Sequence, residues 1–268
     1  MNNQPIGIFD SGVGGLTVTR EIMRQLPKEN LIYFGDTARV PYGTKSKNTI
    51  IRYSQQISRF LLTKNVKAIV IACNTASAVA LESLQEEFDI PILGVVEPGA
   101  IAAAMATKEN SIGVIGTKAT VRSGIYEKRI RDINPLITVV TKACPMFVPL
   151  VEEGLIEDRI TDDMVGRYLS EFDAYRIDAL VLGCTHYPLL YNPIKRYVGP
   201  GVKLVNPAYE TARILKALLT EKNMLNESQE KAVYEYYASD RSDMFISFAN
   251  NVLPCRVKQV ENVRIENY

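Results

Sequence analysis

The stretch that decides the fold is Ala68-Ile69-Val70-Ile71-Ala72-Cys73-Asn74-Thr75, and it has an echo in Leu180-Val181-Leu182-Gly183-Cys184-Thr185-His186. Each is an apolar, β-forming run that ends in a cysteine followed by polar side chains. A continuous apolar run of this length reads as a strand buried on both faces, as in a parallel sheet. The polar cluster then falls at the strand's C-terminal end, where open α/β sheets bind ligands. Two such ends suggest two similar half-molecules, each offering one thiol.

Outward from the first run, strands alternate with helices, the pattern of a parallel α/β sheet. Ile6–Phe9 reads as a strand, then comes the loop Asp10-Ser11-Gly12-Val13-Gly14-Gly15 and a helix over Leu16–Leu26, stopped by Pro27. Leu31–Phe34 is a strand, Pro41-Tyr42-Gly43 a turn, and Ser46–Lys64 a long helix. A helix over Ala76–Phe88 and a strand over Pro91–Val95 follow the first cysteine.

The pattern then restarts. Ile112-Gly113-Val114-Ile115-Gly116-Thr117 repeats the form of Ile6-Gly7-Ile8-Phe9-Asp10-Ser11. After it come a helix to about Ile133, a strand over Leu136–Thr141, a helical turn over Phe147–Glu153 and a helix over Asp162–Tyr175. Beyond the second cysteine strand, Ala179–Gly183, a helix over Pro188–Tyr197 and a strand over Lys203–Val205 complete the copy. Two copies of one α/β unit fit this better than a single sheet, with a stiff hinge and a cleft between them. The repeat does not account for the helix over Tyr209–Leu219 or the tail, which holds a helix near Met244–Leu253 and a strand-like Arg256–Ile265.

Composition narrows the function. With 31 basic and 30 acidic residues the net charge is +1, and no run of like charges marks a nucleic-acid or membrane surface. The start, Met1-Asn2-Asn3-Gln4-Pro5, has neither the basic segment nor the apolar core of a signal peptide. The most hydrophobic window, Ile92–Ala106, is broken by Glu97, Pro98 and Gly99, too interrupted to span a membrane. The four cysteines, Cys73, Cys144, Cys184 and Cys255, form no CxxC pair, which fits reduced thiols in the cytosol better than a disulfide framework. The single histidine, His186, argues against a zinc site of the usual spacing.

A cysteine ending an apolar strand is most often a small buried hydrophobe, and Cys144 and Cys255 fit that reading. Cys73 and Cys184 differ, because hydrogen-bonding groups follow each at once. Matched thiols facing one cleft suit a redox pair, a nucleophile with a helper, or an acid and a base on opposite faces of one carbon. The last has a clear logic: an unperturbed thiol pKa of about 8.5 lets modest tuning present a thiolate on one side and a thiol on the other. Asp10 and Ser11 read either as a helix N-cap or, with Gly12, Gly14 and Gly15, as an anion site at a helix N-terminus. Thr117 and Thr120 correspond to that loop in the second copy, or cap its helix. Glu152 and Glu153 read as a solvated face, and His186 as a core histidine or a tuner of Cys184.

With these blocks assembled, Phe9–Leu16, Pro41-Tyr42-Gly43, Cys73-Asn74-Thr75-Ala76 and Gly183-Cys184-Thr185-His186-Tyr187-Pro188, the chain resembles the glutamate racemases over essentially its full length. The resemblance implies two α/β domains, residues 1–97 plus 207–268 and residues 98–206, each a mostly parallel sheet flanked by helices, with the active site between them. It implies cofactor-independent racemisation of glutamate for peptidoglycan by a cytoplasmic homodimer. Cys73 would act on the D-enantiomer and Cys184 on the L-enantiomer, assisted by Asp10, Glu152 and His186. Ser11, Pro41, Tyr42, Gly43, Asn74, Thr75, Thr117, Thr120 and Thr185 would contact substrate, with Asp10, both cysteines and His186. The histidine after Cys184-Thr185 favours glutamate over aspartate, since aspartate racemases usually carry glutamate there. A superfamily member acting on aspartate, a thiol redox protein and a non-catalytic amino-acid sensor are the alternatives.

Overall fold

The computed structural model describes residues 3–268. Met1 and Asn2, which open the stretch read as lacking a signal peptide, lie outside the described residues. The first half runs β1 (Ile6–Asp10), α1 (Leu16–Gln25), β2 (Leu31–Gly35), a 3-10 turn (Tyr42–Thr44), α2 (Lys47–Thr63), β3 (Ala68–Ile71), α3 (Asn74–Glu87) and β4 (Ile92–Gly94). Its strands are parallel in the order β2-β1-β3-β4. Successive residues point to opposite faces and both faces are covered, which is why the runs are continuously apolar. Ile6, Ile8, Tyr33 and Val70 fill one core, and Phe9, Ile32, Phe34, Ile69 and Ile71 the other.

The second half runs α4 (Val96–Ala106), β5 (Ser111–Gly116), α5 (Lys118–Ser123), α6 (Ile125–Ile133), β6 (Thr138–Ala143), α7 (Phe147–Glu152), α8 (Arg159–Leu169), β7 (Ala179–Gly183), α9 (Tyr191–Val198) and β8 (Lys203–Val205). These strands are parallel in the order β6-β5-β7-β8. The order is that of the first sheet, with β5 for β1 and β7 for β3. The two Ile-Gly strands and the two cysteine strands are therefore topological equivalents.

The tail, α10 (Pro207–Glu221), β9 (Tyr234–Ala238), α11 (Ser242–Val252) and β10 (Glu261–Asn262), returns to the first half. Strand β9 pairs with β2, and β10 with β9, making a six-stranded sheet.

Three local expectations need correction, and the broken apolar window is not among them: it holds β4 and the 11-residue helix α4, which tolerates Pro98 in its first turn, where a missing N–H loses no ladder bond. Gly99 there admits the neighbouring helix: a Cβ would lie 2.9 Å from Pro207 Cγ. Helices α4 and α10, the two crossings between the sheets, thus pack on each other. The helix expected to run to Ile133 breaks at Gly124, whose φ is +64°. The helix expected over Asp162–Tyr175 turns into a 3-10 turn at Ser170, and only Glu261–Asn262 of Arg256–Ile265 pairs as strand. The buried Val257, Val260 and Ile265 explain that apolar pattern without a ladder.

Candidate active site

The C-terminal ends of β1 and β3 face those of β5 and β7 across a cavity of about 400 Å³. Ser11, Pro41, Tyr42, Gly43, Cys73, Asn74 and Thr75 line it from the first half, and Thr117, Glu152, Cys184, Thr185 and His186 from the second. A larger depression of about 700 Å³, lined by Asn3, Gln4, Leu219 and neighbours, lies by the other end of the first sheet and is lined by neither cysteine nor histidine.

Close approach of the halves depends on glycine. A Cβ on Gly14 would lie 2.4 Å from His186 Cε1 and from Thr185 Oγ1. Beside it, Thr17 Oγ1 donates to the Thr185 carbonyl at 2.8 Å, tying α1 to the second cysteine loop. The helix α1 begins only at Leu16, with Gly15 before it, so Asp10 is not its N-cap. Asp10 Oδ2 instead accepts from the Gly12 amide at 3.0 Å, while Oδ1 has no hydrogen-bond partner among the described residues. Burial raises the Asp10 pKa, against the pull of His186 and the loop amides.

Cys73 caps α3, its Sγ accepting from the Ala76 amide at 3.5 Å and lying 3.5 Å from Ser11 Oγ. Its thiol is pushed up to about 12, first by burial and then by the charge of Asp10. A charge on Cys184 also raises it, the smallest of these effects.

Cys184 has different company. Its Sγ lies 3.8 Å from His186 Nδ1, and His186 Nε2 lies 3.0 Å from Glu152 Oε1. Burial alone disfavours a charged imidazole, but Cys184 and Glu152 outweigh it and hold the His186 pKa at about 10. Glu152 is therefore not merely part of a solvated face, although its side chain is 41% exposed.

The rest of the cavity is a set of donors. Thr117 Oγ1 lies 2.9 Å from Thr75 Oγ1 and 3.0 Å from Thr120 Oγ1, and Tyr126 Oη donates to Asn74 Oδ1 at 2.6 Å. Thr117 caps α5 and lines the cavity, so both readings of it hold. Thr120 is buried behind Thr117 and Thr75, outside the lining, as is Asp10 behind Ser11. The first turns of α3 and α5 and the turn at Tyr42 converge here, and leading helical amides lack ladder partners and favour anions. Val40, Thr44, Lys118, Pro145, Val148 and Pro149 also line the cavity and escaped the sequence reading. Pro145, at the C-terminal end of β6, was within reach of the strand-end rule.

Among the described residues, no three of His, Cys, Asp or Glu gather where they would hold a metal ion, and no helix is long and apolar enough to cross a membrane. The family model for Asp/Glu/hydantoin racemases matches residues 6–215. A glutamate racemase of Geobacter metallireducens is 51% identical over 97% of each chain. One of Streptococcus sanguinis is 48% identical over 99% of this chain and 100% of its own. The crystal structure of glutamate racemase from Francisella tularensis in complex with D-glutamate superposes with a TM-score of 0.93, at 40% identity and full coverage of both chains. A chain with this doubled sheet and these full-length relatives belongs to the Asp/Glu/hydantoin racemase family, alongside its glutamate racemases.

Proposed function

We propose that the protein interconverts L- and D-glutamate without a cofactor, one of Cys73 and Cys184 taking the α-proton and the other giving a proton to the opposite face. The observation that carries this reading is the pair of thiols on equivalent strands, lining one cavity from opposite halves. Stereochemical inversion by proton transfer needs a base on one face of the carbon and an acid on the other. In the L-to-D direction, Cys184 as thiolate takes the α-proton. Cys73 as thiol returns a proton to the opposite face, leaving Cys184 protonated and Cys73 as thiolate. The D-to-L direction is the reverse. The charged His186 stabilises an anionic sulfur beside it, and Asp10 and Ser11 assist Cys73.

The α-carbon next to a carboxylate is a weak acid, so developing charge requires fixed donors in a site that excludes water. Ser11, Asn74, Thr75, Thr117 and Thr185 supply hydroxyl or amide groups, and Tyr42 and Gly43 backbone amides. Thr120 supports the hydroxyl cluster from behind. The two units are residues 1–97 with 207–268, and residues 98–206.

On this reading the enzyme is a cytoplasmic homodimer supplying D-glutamate for peptidoglycan. Those expectations rest on the family resemblance, and sedimentation velocity reads the assembly directly. The activity is tested by incubating the protein with each enantiomer of glutamate in heavy water. Deuterium at the α-carbon of both, without added pyridoxal phosphate, is the expected result. A protein inert toward both, or dependent on that cofactor, contradicts the proposal.

A further inference from the structure

Tyr42 lines the cavity, yet its hydroxyl is committed elsewhere. It donates to Asp36 Oδ2 at 2.5 Å. Asp36 is fully buried, lies just beyond β2, and is the node of a small network. Arg39 Nε donates to its Oδ2 at 2.7 Å, and Ser239 Oγ to its Oδ1 at 2.9 Å. Arg39 is itself held from α2, by Gln56 Oε1 at 2.6 Å and by the Tyr53 ring 3.9 Å from its guanidinium carbon.

Ser239 is the member that comes from the tail, one residue beyond β9. Its amide donates to the Gly35 carbonyl at 3.1 Å, and its hydroxyl accepts from the Ala38 amide at 2.8 Å while donating to Asp36. One hydroxyl thus supplies a donor and an acceptor to the segment leading into the Tyr42 turn, as its chemistry allows. Next to it, Thr37 Oγ1 donates to the Asp240 carbonyl. The turn so fixed faces the second half: a Cβ on Gly43 would lie 3.2 Å from Thr117 Cβ.

We infer that Ser239 is a positioning residue for the substrate site, acting through Asp36 and Tyr42 to set the Pro41–Gly43 turn against Thr117. This rests on the glutamate racemase reading. The hydrogen bonds of the Cys73 and Cys184 sulfurs run to Ser11, Ala76 and His186 and not to the network, so its loss removes binding common to ground state and transition state. Such a loss raises KM and spares kcat.

The test is steady-state racemisation of both enantiomers by purified full-length Ser239→Ala and Ser239→Thr, with melting temperatures measured alongside. Ser239→Ala is expected to raise KM about tenfold in each direction with kcat within about threefold, whereas Ser239→Thr, which keeps the hydroxyl, stays near wild type. Combining Ser239→Ala with Tyr42→Phe tests the shared route: effects within one network are not additive. The expected double variant has a KM below the product of the two single effects. An unchanged KM in Ser239→Ala, equal KM values for the Ala and Thr variants, or additive effects in the double variant overturn the inference while the racemase reading stands. A wild-type protein that neither racemises nor binds glutamate overturns both.

Discussion

Cys73 and Cys184 end equivalent strands of equivalent sheets, yet their surroundings differ in kind. Cys73 caps a helix beside a buried carboxyl group, and burial and Asp10 push its thiol up to about 12. Cys184 faces an imidazole that Glu152 holds from behind and whose pKa stands at about 10. The repeat therefore gives symmetry of position without symmetry of electrostatics. The first half places a glycine loop and a carboxyl group at its thiol; the second places a cation. Near neutral pH, burial and Asp10 keep the Cys73 thiol protonated, and His186 places positive charge beside Cys184.

The largest expected effect removes either side altogether. Cys73→Ala and Cys184→Ala should each cut racemisation about 10³-fold or more, since each face loses its only proton relay. Full activity in either, measured by polarimetry or coupled assay, breaks the pairing.

Next is the helper on the Cys184 side. His186→Asn should lower kcat/KM about 10²-fold, and Glu152→Gln less, because Glu152 is 41% exposed. The two enantiomers have equal free energy in water, so kcat/KM remains equal in the two directions for every variant. The histidine also carries a stability signature. Its folded pKa of about 10 lies above the ordinary 6.5, so its contribution is fully present below pH 6.5 and is lost as pH rises through about 10. The stability gap between wild type and His186→Asn, followed by denaturation across that window, should close toward the alkaline end. A gap that widens there contradicts the pairing of His186 with Cys184 and Glu152.

The smallest effect is expected at Asp10, in the opposite sense. A buried carboxyl group with a raised pKa is destabilising once ionised. Asp10→Asn should therefore slow racemisation yet make the fold about 1 kcal/mol more stable at neutral pH. The gain should vanish as pH falls below the ordinary carboxylate range. A neutral-pH melting temperature below that of wild type refutes this reading of Asp10.

The two cysteine strands were legible because burial on both faces leaves an unbroken apolar run and a polar end. The repeat was legible through Ile6-Gly7 and Ile112-Gly113, which occupy β1 and β5. Helix α4 was not, because Pro98 and Gly99 look like breakers until one sees the first-turn position of one and the crossing with α10 at the other. In the tail, only Glu261 and Asn262 find a strand partner, in β9, and the rest of the apolar pattern at Arg256–Ile265 reflects burial without pairing, so the local pattern misled. The residues lining the cavity were legible where they sit at strand ends. The apolar wall of Val40, Val148 and Pro149 was not, since apolar residues of a loop or a short helix resemble core residues until the cleft is seen. The work inferred for Asp36 and Ser239 was equally hidden, because it depends on contacts between the ends of β2 and β9, neighbours in the sheet that lie far apart in sequence.

The central claim is that two unlike thiols work on opposite faces of one carbon, and isotope effects on kcat/KM test it most directly. They are measured with α-deuterated L-glutamate and α-deuterated D-glutamate in wild type and in His186→Asn. Weakening the Cys184 side should make its proton transfer more rate-limiting. The isotope effect should then rise for L-glutamate and fall toward unity for D-glutamate. Isotope effects that do not move, or that move together, would contradict the assignment of one thiol to each face.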